Sequence, residues 1–332
     1  MEDCIPQSGE ISDPEIYTFI FHILTIFMTP IHVYGTYCIF FKTPSQMTSV
    51  KWLMLNCHFW NVLLDLSICF LSIPYIFHPT FSGIALGVID FPELEVYLVI
   101  TLIGLVTISI WSIHENRYHV LFGADNNPIW CLMRKPMMLV NYFAAITYFI
   151  PPYFVLPDQN QEFVKIQEIL PCNLQQAYAS RKVFILSAGK DFPLYCCFVF
   201  YVLAVGQSIP LFFIIIIKLI RKSRKKESTA SLKTLKMRKK LVIALIIQTI
   251  SPCLLISIPV EYLALATYLN YYNTSLNRFS MILFGLHGVC STLTMIFVHQ
   301  PYREATVDNF YWLMMCRQNS KKISVAPTTM HS

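Results

Sequence analysis

The sequence predicts an all-α membrane protein: a bundle of seven transmembrane helices with its N-terminus outside. Three observations carry that prediction. Of 332 residues, 55% are hydrophobic and only 13% charged, with a mean hydropathy of +0.53. Soluble domains carry about 25% charged residues, so this chain has too little polar surface to coat a globule. Next, seven runs lack Asp, Glu, Lys and Arg except for Asp65: 16–41, 52–77, 96–114, 137–157, 192–217, 241–260 and 279–302. A helix needs about 20 apolar residues to cross the hydrocarbon core. Finally, the basic residues divide unevenly between alternating loops.

Extended to their flanking polar residues, the spans are expected at about 16–41, 52–77, 95–117, 137–157, 192–217, 241–265 and 279–300, with a tail at 301–332. The strands of a membrane barrel would be about 10 residues long and strictly alternating, unlike these runs. No fixed-period repeat is present, and the loops leave no room for a soluble domain. An odd number of crossings puts the termini on opposite faces. Residues 1–15 carry Glu2, Asp3, Glu10, Asp13 and Glu15 without a Lys or Arg. One set of loops holds 20 of the 25 basic residues, including eleven between Lys218 and Lys240; the other holds Lys165, Arg181, Lys182, Lys190 and Arg278. The positive-inside rule assigns the larger set to the cytoplasm.

Span one should act as a retained signal anchor: the residues before it are acidic, and the run exceeds the 7–15 residues of a cleavable signal. Span two carries Asp65 in "NVLLDLSICF", close to the midplane, where an ionisable side chain costs a few kcal/mol and faces the bundle interior. Its companions should be polar groups on neighbouring helices; the alternative is a protonated carboxyl satisfied by a hydroxyl. Span three ends in "HENRY" (114–118), which puts Glu115, Asn116 and Arg117 at its inner end. A plain positive-inside anchor needs no acid beside it, whereas Glu-x-Arg allows local charge pairing that holds one packing arrangement against another.

Prolines recur within the spans at Pro30, Pro74, Pro151, Pro152, Pro210, Pro252 and Pro259. In a bundle the freed carbonyls find other donors, which leaves kinks able to serve as hinges. The basic stretch "RKSRKKESTASLKTLKMRKK" (221–240) precedes span six. Its bland role is to meet the anionic inner leaflet, at about 1 kcal/mol per charge. Its sharper role is a docking loop with Ser228, Thr229, Ser231 and Thr234 as phosphorylation candidates. The net charge of +6 is thereby placed against membrane lipids rather than nucleic acid.

The enzyme classes find little support. The histidines lack a metal-ligand spacing, and no HExxH motif or Gly-rich phosphate loop is present. Span seven has no Lys, which removes the usual retinal attachment. No cofactor and no catalytic residue is expected.

A seven-span chain with an acidic-polar-Arg triplet ending span three resembles a G-protein-coupled receptor. More narrowly, residues 42–87, "KTPSQMTSVKWLMLNCHFWNVLLDLSICFLSIPYIFHPTFSGIALG", together with "ENRY" and "VHQPYRE" (298–304), resemble the nematode serpentine receptor class H (Srh) family. The resemblance implies a chemosensory receptor of the plasma membrane, with the sensory cilium as a candidate location. Such a receptor binds a small molecule outside and activates a heterotrimeric G protein inside. Glu115, Asn116 and Arg117 would form its span-three switch. His299, Pro301, Tyr302 and Arg303 would form the motif at the inner end of span seven, with Pro301 ending the span, Tyr302 at the interface and Arg303 facing the cytoplasm. Segment 303–315 could then lie on the membrane as an amphipathic helix, with Cys316 a palmitoylation candidate beyond it. The rhodopsin-like NPxxY and Cys-Trp-x-Pro sequences are missing. So is a Cys near the outer end of span three, which leaves Cys4 and Cys172 as disulfide candidates. Asn273 heads the one glycosylation sequon. Pocket-lining candidates chosen by depth alone are Tyr97, Thr101, Tyr201, Glu261 and Tyr262.

Two rival readings stay open: a receptor for peptides or other non-chemosensory signals, and a transporter or ligand-gated channel. The channel or transporter should show inverted repeats or several midplane charges, and the sequence has one such charge. The seven-span topology predicts that epitopes fused to the two termini label opposite faces of intact cells, the N-terminal one without permeabilisation. Two epitopes on one face would exclude it.

Overall fold

The computed structural model describes residues 13–89, 91–120, 128–169, 182–187, 191–225 and 232–324. Spans one to seven are α1 (Pro14–Phe41), α2 (Thr48–Leu66), α3 (Pro92–Tyr118), α4 (Pro128–Thr147), α6 (Asp191–Lys225), α7 (Leu232–Leu269) and α8 (Thr274–Val298). A short α5 (Gln159–Ile169) lies between spans four and five, and α9 (Gln300–Ser324) follows span seven. Among the described residues, six of the spans are long and apolar enough to cross a bilayer, and α7 contributes a shorter apolar section, Leu254–Leu269. Their outer faces expose Phe27, Val140, Phe143, Phe198 and Leu254. Large apolar side chains pointing away from a bundle suit contact with lipid.

Local chemistry explains where these helices begin. Asp13 accepts the backbone N–H of Glu15 at 2.8 Å and caps α1, with Pro14 in its first turn. Asn273 likewise accepts from Leu276 N at 2.9 Å and caps α8. That contact gives the side chain of the sequon asparagine a structural role. Several helices outrun their apolar stretches: α4 starts at Pro128 rather than 137 and includes Arg134 and Lys135, and α6 runs on to Lys225.

Span two departs most from its expected course to residue 77. The α-helix ends at Leu66, a wider π-turn covers Ser67–Ser72, and Ile73 takes a left-handed conformation with φ 43°. Pro74 is the reason: its ring disfavours a helical residue before it. The chain then forms β1 (Pro74–Ile76), which pairs antiparallel with β2 (Phe81–Ala85), and β2 pairs with β3 (Phe184–Ser187). This small sheet adds strands to an otherwise helical molecule. Gly83 is required in it, because a Cβ there would sit 2.8 Å from the Tyr75 carbonyl oxygen.

The sheet closes the end of the bundle opposite the basic one. Tyr17 of span one donates to Pro74 O at 2.9 Å, and Arg278 of span seven donates to Ile76 O at 2.8 Å. The Arg278 guanidinium also lies 3.1 Å from the Tyr75 ring centroid. A cation stacked on an aromatic face inside a bundle is a strong fastener, and Arg278 is 1% exposed.

The centre of the bundle is polar. Asp65, 1% exposed, has Oδ2 at 2.9 Å from His32 Nε2, and its Oδ1 accepts the backbone N–H of Gly288 at 3.0 Å. The His32 Nδ1 meets Thr292 Oγ1 at 3.1 Å. One carboxylate therefore ties spans one, two and seven together. Gly288 has no room for a side chain: a Cβ would stand 2.5 Å from Asp65 Oδ2. Gly288→Ala is expected to lift the carboxylate off its donors and cost roughly 2–3 kcal/mol of stability. Thermal unfolding in detergent measures this, with Gly206→Ala, which meets nothing within 4 Å, as the neutral control.

Candidate functional site

Two regions stand out: a polar cluster at the basic end and a large cavity under the sheet. Span three runs through both. At the basic end Glu115 is fully buried, and Arg134 of span four approaches it in a fork, Nε to Oε1 at 3.0 Å and Nη2 to Oε2 at 2.9 Å. The same Nη2 reaches Asn116 Oδ1 at 3.4 Å. Arg117 turns the other way and donates to Gln248 Oε1 of span six at 2.9 Å. The Gln248 amide nitrogen in turn lies 2.8 Å from His299 Nε2.

The local Glu115–Arg117 pairing anticipated from Glu-x-Arg is therefore replaced by two longer-range contacts. Residues two apart on a helix point to nearly opposite sides, so the acid and the base cannot share a neighbour. Span three is thus tied to span four by Glu115 and to spans six and seven by Arg117. Tyr118 adds span five: Lys218 Nζ sits 3.2 Å from its hydroxyl and 4.7 Å from its ring centroid. Arg134, Gln248, Tyr118 and Lys218 were not singled out in the sequence. Gln248 carried a signal, as an amide inside the apolar run 241–260, whereas Arg134 looked like one more positive-inside charge.

The motif after span seven is arranged differently from its expected layout. His299 breaks the helix with φ −83° and ψ 115°, and α9 starts at once with Pro301 in its first turn. Tyr302 is fully buried, with its hydroxyl 2.7 Å from Thr43 Oγ1. A phenol is held inside when its oxygen finds a partner, and the loop after span one supplies that partner. Arg303 is exposed and donates to Phe297 O at 3.1 Å. Segment 303–315 lies within α9, which exposes Phe310, Tyr311, Trp312 and Met315. The Cys316 side chain lies outside the described residues, as do Cys4, Cys172, Ser228, Thr229, Ser231 and the Thr234 side chain.

Above this cluster a small cavity of about 60 Å³ is lined by His58, Asn61, His114, Arg117 and Gln248. Beyond it, below the sheet, lies a cavity of about 630 Å³ between spans three, five, six and seven. Ile110 and His114 line both. The walls of the large cavity are mainly apolar, with Phe184 and Ile84 of the sheet above and Phe200, Phe212 and Phe284 at the sides. Tyr148 stacks on Phe200 with ring centroids 4.1 Å apart.

Of the five residues chosen by depth, Tyr201 and Glu261 line this cavity. The other three do not, and helical phase is the cause. On span three the lining stripe is Val96, Val99, Ile100, Ile103, Thr107 and Ile110. Tyr97 and Thr101 sit on the neighbouring stripe: the Tyr97 hydroxyl donates to Ile146 O of span four at 2.8 Å, and Thr101 is buried away from the cavity. Tyr262 points to span seven and donates to Asn277 Oδ1 at 2.9 Å.

The Glu115–Arg134 contact generates a stability test. Arg134→Leu would leave a buried, uncompensated carboxylate, a change that costs about 3–5 kcal/mol. Its melting temperature in detergent should fall well below that of the double variant Glu115→Leu/Arg134→Leu. Equal melting temperatures would deny the pair its role.

The fold and sequence can be set beside known proteins. The backbone resembles squid rhodopsin with a TM-score of 0.57 at 14% identity, over 95% of this chain and 93% of that one; at that identity the likeness speaks for the seven-helix fold. Serpentine receptor class H-72 of Caenorhabditis elegans is 23% identical over 314 residues, covering 90% of this chain and 87% of the relative. The family pattern described as serpentine type 7TM GPCR chemoreceptor Srh matches residues 12–312. Family, relative and fold agree on a multi-pass membrane receptor rather than an enzyme, and the chain belongs to the Srh family of serpentine seven-transmembrane chemoreceptors.

Proposed function

We propose that this chemosensory receptor binds a small molecule in the cavity of about 630 Å³ under the sheet and responds by rearranging the polar cluster at its basic end, which faces a heterotrimeric G protein. The observation that carries the reading is the course of span three. It forms one wall of the cavity through Val96 to Ile110 and, two turns further on, holds Glu115 and Arg117 in contact with spans four and six. A ligand that changes how spans three, five and six pack around it acts on both contacts through rigid helices. It shifts the population only by its difference in affinity between two states; moving 1:99 to 99:1 needs about 10⁴-fold.

In this reading Arg117–Gln248–His299 latches the ends of spans three, six and seven, and the latch opens to admit the G protein. Glu115–Arg134 holds span three on span four throughout. The basic loop and the exposed aromatic face of α9 lie against the inner leaflet of the plasma membrane, in sensory cilia where the expressing cell bears them. The Cys4–Cys172 disulfide, Asn273 glycosylation and Cys316 palmitoylation belong to the same reading as candidate modifications.

Expression with a promiscuous G protein, a calcium readout and a panel of volatile and water-soluble odorants tests the proposal. Ala204 is 3% exposed and lines the cavity, so Ala204→Trp should abolish the response by filling it. Arg117→Ala should change basal or evoked signalling while surface display survives. A ligand-evoked current in cells lacking the G protein would instead support a channel.

A further inference from the structure

We propose that the ligand enters the large cavity sideways from the bilayer, through a slot between spans five and six rimmed by Ile209 and Glu261, and is therefore a neutral, membrane-partitioning molecule. The inference deepens the reading above and rests on the cavity being the ligand site. Of the described residues that line the cavity, only Ile209 of span five and Glu261 of span six are exposed. Ile209, 50% exposed, stands on its helix between Val205 and Phe212 of the wall and Val202 and Phe213 of the lipid-facing stripe. Glu261 likewise joins Ser257 and Ala264 of the wall to the outward stripe of Leu254, Ile258, Leu265 and Tyr268. At both positions one side chain belongs to the cavity wall and to the outer surface at once. The barrier between cavity and lipid is there a single side chain thick.

Entry through the sheet is opposed by its fastenings. Besides the contacts of Tyr17 and Arg278 with β1, Ser72 just before the sheet donates to Glu95 Oε2 of span three at 2.7 Å. His78 Nδ1 lies 3.3 Å from Thr267 Oγ1 of span six, and Asn277 of span seven donates to His78 O at 3.3 Å. At β3, Gln159 exchanges two hydrogen bonds of 2.9 Å with the backbone of Ile185. Spans five and six lack such ties. Along the stretches that border the cavity, 204–212 and 256–264, no hydrogen bond or ion pair joins the two helices among the described residues. Apolar surfaces can part there without leaving a polar group unpaired. Pro210 and Pro259 fall in the same stretches, and a helix that has lost a backbone hydrogen bond bends more readily.

The path and the wall then select the ligand. An ion approaching through hydrocarbon pays a large desolvation cost, whereas an apolar molecule concentrates in the bilayer and reaches the slot from there. Inside, several polar side chains of the wall are already satisfied by the protein. Ser72 is engaged with Glu95, and the hydroxyls of Thr107, Tyr148 and Ser208 each donate to a backbone carbonyl at 2.8 Å. The wall asks little polarity of its occupant, and Phe200, Phe212 and Phe284 offer it aromatic surface.

The test uses the purified full chain in phosphatidylcholine nanodiscs and two photoprobes, neutral trifluoromethyl-phenyldiazirine and its charged carboxylate derivative. A flash after increasing times of exposure, followed by peptide mass spectrometry, gives the rate and plateau of labelling on the span-three wall between Val96 and Ile110. The neutral probe should label this wall faster than the carboxylate. Ile209→Trp should slow it about tenfold at an unchanged plateau, and Ile209→Ala should speed it. Leu203→Trp, at a lipid-facing position 59% exposed and off the wall, should change neither. Adducts on Phe198, which faces lipid on the same helix, report equal folding and probe partition across the variants. Wall labelling that ignores both substitutions at position 209, that is as fast with the carboxylate, or that loses plateau rather than rate in Ile209→Trp overturns the lateral path and leaves the cavity as the ligand site. No wall adducts from either probe at the longest exposure overturn both.

Discussion

An acidic and a basic side chain stand two residues apart on span three, and helix geometry forbids them to face the same neighbour. Much of the architecture at the basic end follows from that constraint. Glu115 is fully buried and needs a cation, which Arg134 supplies from span four in a two-point contact. Arg117 faces the opposite side and meets an amide, Gln248, instead of an acid. The two contacts differ in kind. A buried ion pair resists separation because each partner would be left charged in a low dielectric, whereas an arginine on a neutral amide exchanges more readily for another acceptor. The firm contact therefore lies between spans three and four, and the more exchangeable one between three and six.

The middle and far end of the bundle are held on the same principle by other means. Asp65 engages a ring nitrogen of His32 and a backbone N–H of span seven, the latter reachable because residue 288 has no side chain. At the far end Arg278 is stacked on Tyr75 and bonded to Ile76 O, so span seven also fastens the sheet. Span seven thus joins both regions, and the cavity lies beside it rather than through it. Spans one, two and seven are locked together, and the open volume lies under the sheet between spans three, five, six and seven.

The three-stranded sheet shows how a local rule reshapes a global prediction. Apolar content carried span two to residue 77, and composition cannot distinguish an apolar helix from an apolar strand. Pro74 ends the helical conformation at Ile73, and the segment finds its hydrogen bonds in β2. The backbone groups of an irregular segment in this environment must be paired within the protein, and a sheet pairs them. The same strands then roof the cavity with Ile84 and Phe184.

The sequence by itself determined the class, the helical character and the family, because these depend on composition, run length and residues close together in the chain. Asp65 needed companions, and Glu115 with Arg117 marked the end of span three, before any contact was visible. Tertiary structure decided the partners: His32 for Asp65, Arg134 for Glu115, Gln248 for Arg117 and Thr43 for Tyr302. It also decided which depth-matched residues line the cavity, admitting Tyr201 and Glu261 and turning Tyr97, Thr101 and Tyr262 toward other helices. Depth follows from position along one helix, but facing depends on how that helix is rotated against its neighbours, and rotation is settled by packing among residues far apart in the chain.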